Sequence, residues 1–218
     1  DRLAAGTYAV RAVLDQDPDD WSATLTPGNL YSAKGVVTIR AGEPATFELT
    51  LEHRVELPVF EETALVREVR LRSERVSAHL GIDAWLSAAV ILPPSYATDS
   101  ERRYPAVYVL PGWGASRHDV LRGDFQQRRY GMTGFGEEKV FVFLDHSMRA
   151  GYHCFADSEV AGPWGSALVE ELIPHLERTY RLLPERRGRF LSGQSSGGWG
   201  ALWLQINFAK VFAAAFAA

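Results

Sequence analysis

The sequence predicts an α/β fold, with a mostly parallel sheet carrying helices on both faces, preceded by a small all-β unit. Three observations carry this reading. Ala106–Leu110 and Val140–Leu144 are fully apolar runs, as in strands buried on both faces. From about residue 64, strand-like and helix-like patterns alternate along the chain. Before that point only short strand patterns and turn signals occur.

The elements follow in order. Thr7–Leu14, Val36–Ile39 and Thr46–Leu51 read as strands, the last two separated by the turn residues Ala41-Gly42-Glu43-Pro44. The stretches Asp15 to Asp20 and Thr26-Pro27-Gly28-Asn29 read as loops. These features predict a small immunoglobulin-like β-sandwich over residues 1–60, and Pro58 to Thr63 reads as a linker. The α/β domain is then expected over 64–218. Leu65–Ser73 alternates and reads as a strand, and Trp85–Leu92 is another, closed by Pro93-Pro94. His118 to Tyr130 has helical character between the two apolar strands. Trp164–Tyr180 reads as a helix, since Trp164, Leu168, Leu172, Ile173, Leu176 and Tyr180 keep one stripe. Pro163 suits its first position, and Pro174 inside it should bend it. Arg189-Phe190-Leu191 opens a strand, Gly197–Phe208 reads as a helix, and Val211–Phe216 as the next strand.

Composition narrows the function. The 218 residues are 46% hydrophobic and 23% charged, ordinary for a folded domain, and the net charge of −4 argues against a nucleic-acid partner. Cys154 is the single cysteine, so no intrachain disulfide can form. No apolar run reaches the length of a membrane helix. The chain starts at Asp1 without a methionine, which suggests removal of an upstream segment; export with signal-peptide cleavage is one reading.

The chemistry concentrates at Gly193-Gln194-Ser195-Ser196-Gly197, a G-x-S-x-G match between the strand and the helix. That order describes a sharp strand-to-helix turn, with the serine held in a strained conformation and its Oγ exposed. Ser195 is the expected nucleophile. A serine attacking a carbonyl needs donors for the oxyanion that forms. The N–H of Ser196 supplies one, and the Trp113 N–H, in the turn Pro111-Gly112-Trp113-Gly114 after a buried strand, is assigned as the second. A serine also needs a base. All six histidines (53, 79, 118, 146, 153 and 175) precede Ser195, and residues 196–218 contain no His, Asp or Glu. His175 reads as a surface residue, and His53 and His79 as structural. His118 and His153 lie in loops that could border the pocket, but the structural reading is favoured there too. Asp145, His146, His153, Cys154 and Asp157 match no standard metal spacing, so no metal and no cofactor is expected.

Several of these stretches together resemble the "putative esterase" family of α/β-hydrolases, which includes esterase D, feruloyl esterases, enterochelin esterases and the mycolyltransferases. Val90-Ile91-Leu92-Pro93-Pro94-Ser95-Tyr96 and Arg103-Tyr104-Pro105 through Pro111-Gly112 look like its opening segment. Glu170-Glu171-Leu172-Ile173-Pro174 resembles its "ELIP" helix, and Gly193 to Gly198 its nucleophile elbow. Gly151 to Ser158, followed by Gly162-Pro163-Trp164-Gly165, resembles its active-site-facing loop. The family's usual His-Gly is Pro111-Gly112 here. The resemblance implies an α/β-hydrolase fold over about 64–218 that stops short of the family's Asp and His, expected beyond residue 218. It also implies ester hydrolysis through an acyl-enzyme on Ser195, with a small-molecule or carbohydrate-linked ester as substrate. Acyl transfer to an alcohol is the close rival. A non-catalytic binding or scaffold protein is the reading from a different class, should the complete gene lack the acid and the base.

Overall fold

Ala106–Leu110 (β8) and Val140–Asp145 (β9) are the central pair of a six-stranded sheet, as two apolar runs with no polar face require. The structure is a computed structural model that describes residues 3–16, 27–56, 59–121, 137–148 and 151–218. The chain divides into two compact units, Asp1–Val59 with Arg149–Gly151, and Phe60–Met148 with Tyr152–Ala218.

In the first unit the described strands are Gly6–Val10 (β1), Val13–Leu14 (β2), Leu30–Tyr31 (β3), Gly35–Ile39 (β4) and His53–Arg54 (β5). β1 pairs with β4 antiparallel, and β2, β3 and β5 form a three-stranded antiparallel sheet. The single strand expected over Thr7–Leu14 is therefore split between two sheets. Thr46–Leu51 is not a strand. Leu49 packs against Gly35 of β4, with its Cδ2 3.0 Å from where a Cβ would stand, but the segment has no ladder. Alternation chooses a face; it does not supply a hydrogen-bonding partner.

In the second unit Val66–Arg72 (β6) and Trp85–Ile91 (β7) pair antiparallel, and β7 pairs antiparallel with β9. β9, β8, Arg189–Gly193 (β14) and Ala214–Ala217 (β15) then pair in parallel, giving the order β15-β14-β8-β9-β7-β6. The short strands Ser147–Met148 (β10), Gly151–Tyr152 (β11), Asp157–Ser158 (β12) and Gly162–Pro163 (β13) lie between β9 and the next helix in sequence. Side chains of the central strands alternate between two cores. Tyr108, Leu110, Val142 and Leu144 face one, and Val109, Phe141 and Phe143 face the other.

The described helices pack on the first of these cores. Glu74–Leu80 (α1) was not expected from the pattern, although its punctuation was present. Ser73 caps it by accepting from the Val76 N–H, and Gly81 ends it at φ 72°. The helix expected over 164–180 is continuous but changes pitch: Trp164–Ala167 (α2), a π turn over Leu168–Leu172, then Ile173–Thr179 (α3). The Ile173 N–H reaches back five residues to the Leu168 carbonyl. That wider turn gives the Pro174 ring room it lacks in a regular α-helix. Ser196–Asn207 (α4) follows β14.

The second core is covered by a 3₁₀ turn at Arg117–Leu121, through Val120 and Leu121, and by Phe60. The remainder of the helix expected to Tyr130 lies outside the described residues, as do the loop from residue 17 to 26 and Pro58. The last strand is shorter than expected and begins at Ala214, because Val211 closes the turn before it. Among the described residues no helix is long and apolar enough to cross a membrane.

Candidate active site

β14 ends and α4 begins within three residues, so the chain must reverse over Gln194-Ser195 with almost no space. Ser195 takes φ 55° and ψ −126°, a region that costs a non-glycine residue about 1–3 kcal/mol. The surroundings hold it there. Its N–H donates to the Ala218 carbonyl at 2.7 Å, its carbonyl accepts from Trp199 N–H at 3.1 Å, and Gly197 N–H donates to the Gln194 carbonyl at 2.9 Å. The crossing is tight enough to demand glycine on either side. A Cβ at Gly193 would lie 2.1 Å from the Gly197 carbonyl oxygen, and one at Gly197 would lie 2.2 Å from that of Leu110. Gln194 and Ser195 are exposed at the end of the parallel strands.

The turn after β8 comes to the same place. A Cβ at Gly112 would stand 3.4 Å from the Gln194 carbonyl oxygen and 3.5 Å from Ser195 Cβ. The structure thus brings the 111–114 turn against Ser195. Ser196 is the first residue of α4, so its N–H has no carbonyl one turn back within the helix. Its Oγ is buried without a hydrogen-bond partner among the described residues.

The turn is braced by side chains from outside it. Gly114 N–H donates to Tyr152 Oη at 2.9 Å, and the Trp113 and Tyr152 rings lie 4.5 Å apart. Arg117, just past the turn, donates from Nε to Glu68 on β6 at 2.6 Å and from Nη1 to Asp145 on β9 at 2.9 Å. Asp145 also accepts from the Ser147 N–H and hydroxyl. Tyr152 lies in the Gly151–Ser158 stretch that resembles the family's active-site-facing loop, but its bond to Gly114, 38 residues away in the chain, has no local sequence signal.

The other candidates fall elsewhere. His153 is buried in the core: its ring stacks on Trp164 at 3.8 Å, and its Nδ1 accepts from the Phe155 N–H. Burial pushes its pKa well below the usual histidine value, with His146 adding to the shift. His146 is buried against Tyr152; burial lowers its pKa too, opposed by Asp145 and the Gly112 backbone. His118 packs on Phe60, and burial lowers its pKa as well. His79 lies on α1, in the second unit, and its Nε2 meets the Glu159 carbonyl at 2.9 Å. Asp157 accepts from the N–H and hydroxyl of Ser166 at the start of the 164–179 helix. Phe155 is wholly buried, whereas Trp113 and Trp199 are exposed beside the turn and on α4. A cavity of about 380 Å³ in the first unit, lined by Arg11, Val13, Tyr31, Arg54, Val55 and Glu56, contains none of these residues.

The family described as "Putative esterase" matches residues 82–218. Esterase Rv1288 of Mycobacterium tuberculosis (strain ATCC 25618 / H37Rv) is 31% identical over 128 residues, which cover 58% of this chain and 27% of that protein. Among solved structures, a ferulic acid esterase is similar with a TM-score of 0.59 at 23% identity, covering 70% of this chain and 57% of its own. An S-formylglutathione hydrolase from Agrobacterium tumefaciens is similar with a TM-score of 0.55 at 20% identity, covering 71% and 58%. At such identities these two likenesses speak to fold. The second unit has the α/β-hydrolase fold of these esterases, a mixed sheet with helices packed on it.

Proposed function

The chain belongs to the "Putative esterase" family, and from that membership we propose that it is a serine esterase that cleaves carboxylic esters through an acyl-enzyme on Ser195. The observation that carries the proposal is the exposed Ser195, held at φ 55° with the Gly112 turn against it. In the first step Ser195 Oγ bonds to the ester carbonyl carbon, its proton passes to a general base, and the carbonyl π pair moves onto oxygen. The N–H groups of Trp113 and Ser196 receive that oxyanion, and one such donor typically contributes about 10²–10³ in rate. The tetrahedral species then collapses, the alcohol departs with the proton, and the acyl group remains on Ser195. Water then attacks the acyl carbon and gives its proton to the base, and the second tetrahedral species breaks its bond to Ser195 Oγ, which takes that proton as the acid leaves. The resemblance assigns the base to a His paired with an Asp in the whole protein; residues 196–218 contain neither.

The proposal extends to organisation. Residues 64–218 form the hydrolase domain. Residues 1–60 form an accessory immunoglobulin-like sandwich, a reading supported by the two small antiparallel sheets β1–β4 and β2–β3–β5. The substrate is a small-molecule or carbohydrate-linked ester. The test is turnover of p-nitrophenyl acyl esters by the full-length protein and its Ser195→Ala variant. Loss of at least about 10³ in kcat is expected; unchanged turnover would refute the reading.

A further inference from the structure

We propose that Tyr152 is a positioning residue that sets the direction of the oxyanion donor at Trp113 by holding the next peptide plane from outside the turn. The proposal rests on the serine-esterase reading above. Two peptide planes meet at the Trp113 Cα. The plane joining Gly112 to Trp113 contains the proposed donor, and its carbonyl accepts from Ala115 N–H at 3.3 Å. The plane joining Trp113 to Gly114 is held through Gly114 N–H, which donates to Tyr152 Oη at 2.9 Å. These bonds restrain the two planes, and with them the two backbone torsions at Trp113.

The Trp113 side chain is 60% exposed, Gly114 is exposed at φ 80°, and no Cβ at Gly114 would meet anything within 4 Å. Tyr152, in contrast, is anchored. Its ring lies 4.6 Å from His146, which is wholly buried, and 4.5 Å from Trp113. A rigid ring thus carries a hydroxyl acceptor to an exposed part of the turn. Without the hydroxyl, water can take up the exposed Gly114 N–H, so stability changes little while the plane is free to rotate. A donor misplaced by a fraction of an ångström loses much of its stabilisation of the oxyanion.

The test compares Tyr152→Phe with wild type in the full-length protein, alongside Ser195→Ala. We expect kcat to fall about 10- to 100-fold with KM within about twofold, and affinity for a boronic acid analogue of the tetrahedral intermediate to fall in parallel. Thermal stability should stay within about 1 °C. Exchange of the Gly114 amide hydrogen should accelerate, since its acceptor is gone. If Ser195→Ala is inactive while Tyr152→Phe keeps kcat and analogue affinity, the positioning role is refuted and the esterase reading stands. A rise in KM alone would make Tyr152 a substrate-contact residue and would equally refute it. Activity surviving in Ser195→Ala would remove the esterase reading and this proposal together.

Discussion

Gly112 and Ser195 lie against each other across 83 residues of chain: a Cβ added to Gly112 would stand 3.5 Å from Ser195 Cβ. The contact is a consequence of sheet order. β8 and β14 are parallel neighbours with Leu110 opposite Gly193, so both chains leave the sheet at the same level. The turn after one and the elbow after the other therefore meet at the carboxyl end of the sheet. In open α/β sheets this is where ligands bind.

The tightness of that meeting makes Gly197 intolerant of any side chain. A Cβ there would lie 2.2 and 2.3 Å from the carbonyl oxygens of Leu110 and Pro111, backbone atoms that cannot turn aside. Gly197→Ala should cost about 3 kcal/mol or more in urea denaturation, at the upper end for overpacking. Gly114→Ala is the contrast. It meets no neighbour but must hold φ 80°, and should cost about 1 kcal/mol.

Arg117 ties the far end of the turn to the sheet. Its side chain is 17% exposed and bridges Glu68 to Asp145, which is 7% exposed. Arg117→Met leaves the Asp145 carboxylate buried without its cation, so stability should drop by about 3 kcal/mol. The double variant Arg117→Met/Asp145→Asn should recover part of that loss. A double-mutant cycle in urea measures the coupling, and additive losses would count against the bridge.

Acid should destabilise the fold before the carboxylates titrate. His153 and His146 both have folded pKa values below 6.5, chiefly because burial disfavours the imidazolium. Below about pH 6.5 the unfolded histidines take up protons that the folded ones refuse, so the unfolded state gains relative stability. Stability is fully present above that value and declines as the pH falls from it toward 5. His153→Phe should flatten this decline, measured as the urea midpoint at pH 7.5 and pH 5.0, whatever it does to the absolute midpoint. An unchanged slope would mean that His153 is not the group responsible.

Much of this arrangement could be read from sequence because it depends on local order. The apolar runs at 106–110 and 140–144 lack a polar face and therefore lie mid-sheet. Gly193 to Gly197 specifies strand, turn and helix within a few residues, and Ser195 is where that order puts it. The misses have a different origin. Thr46–Leu51 alternates as a strand does but finds no partner, which only tertiary structure decides. Ser73 and Gly81 mark both ends of the helix at 74–80, but seven residues between them carry too short a pattern to declare it. The π turn before Pro174 is a backbone response that residue pattern does not encode. The Tyr152–Gly114 and Arg117–Asp145 contacts join segments 38 and 28 residues apart, and nothing in either segment names the other.

The central claim is that the Ser195 hydroxyl is a nucleophile supported by main-chain amides. Treating the full-length protein with a fluorophosphonate and locating the adduct by mass spectrometry of its peptides tests this directly. The expected result is a single adduct on Ser195, absent from Ser195→Ala. An unlabelled Ser195, or equal labelling of the alanine variant at another residue, would contradict it.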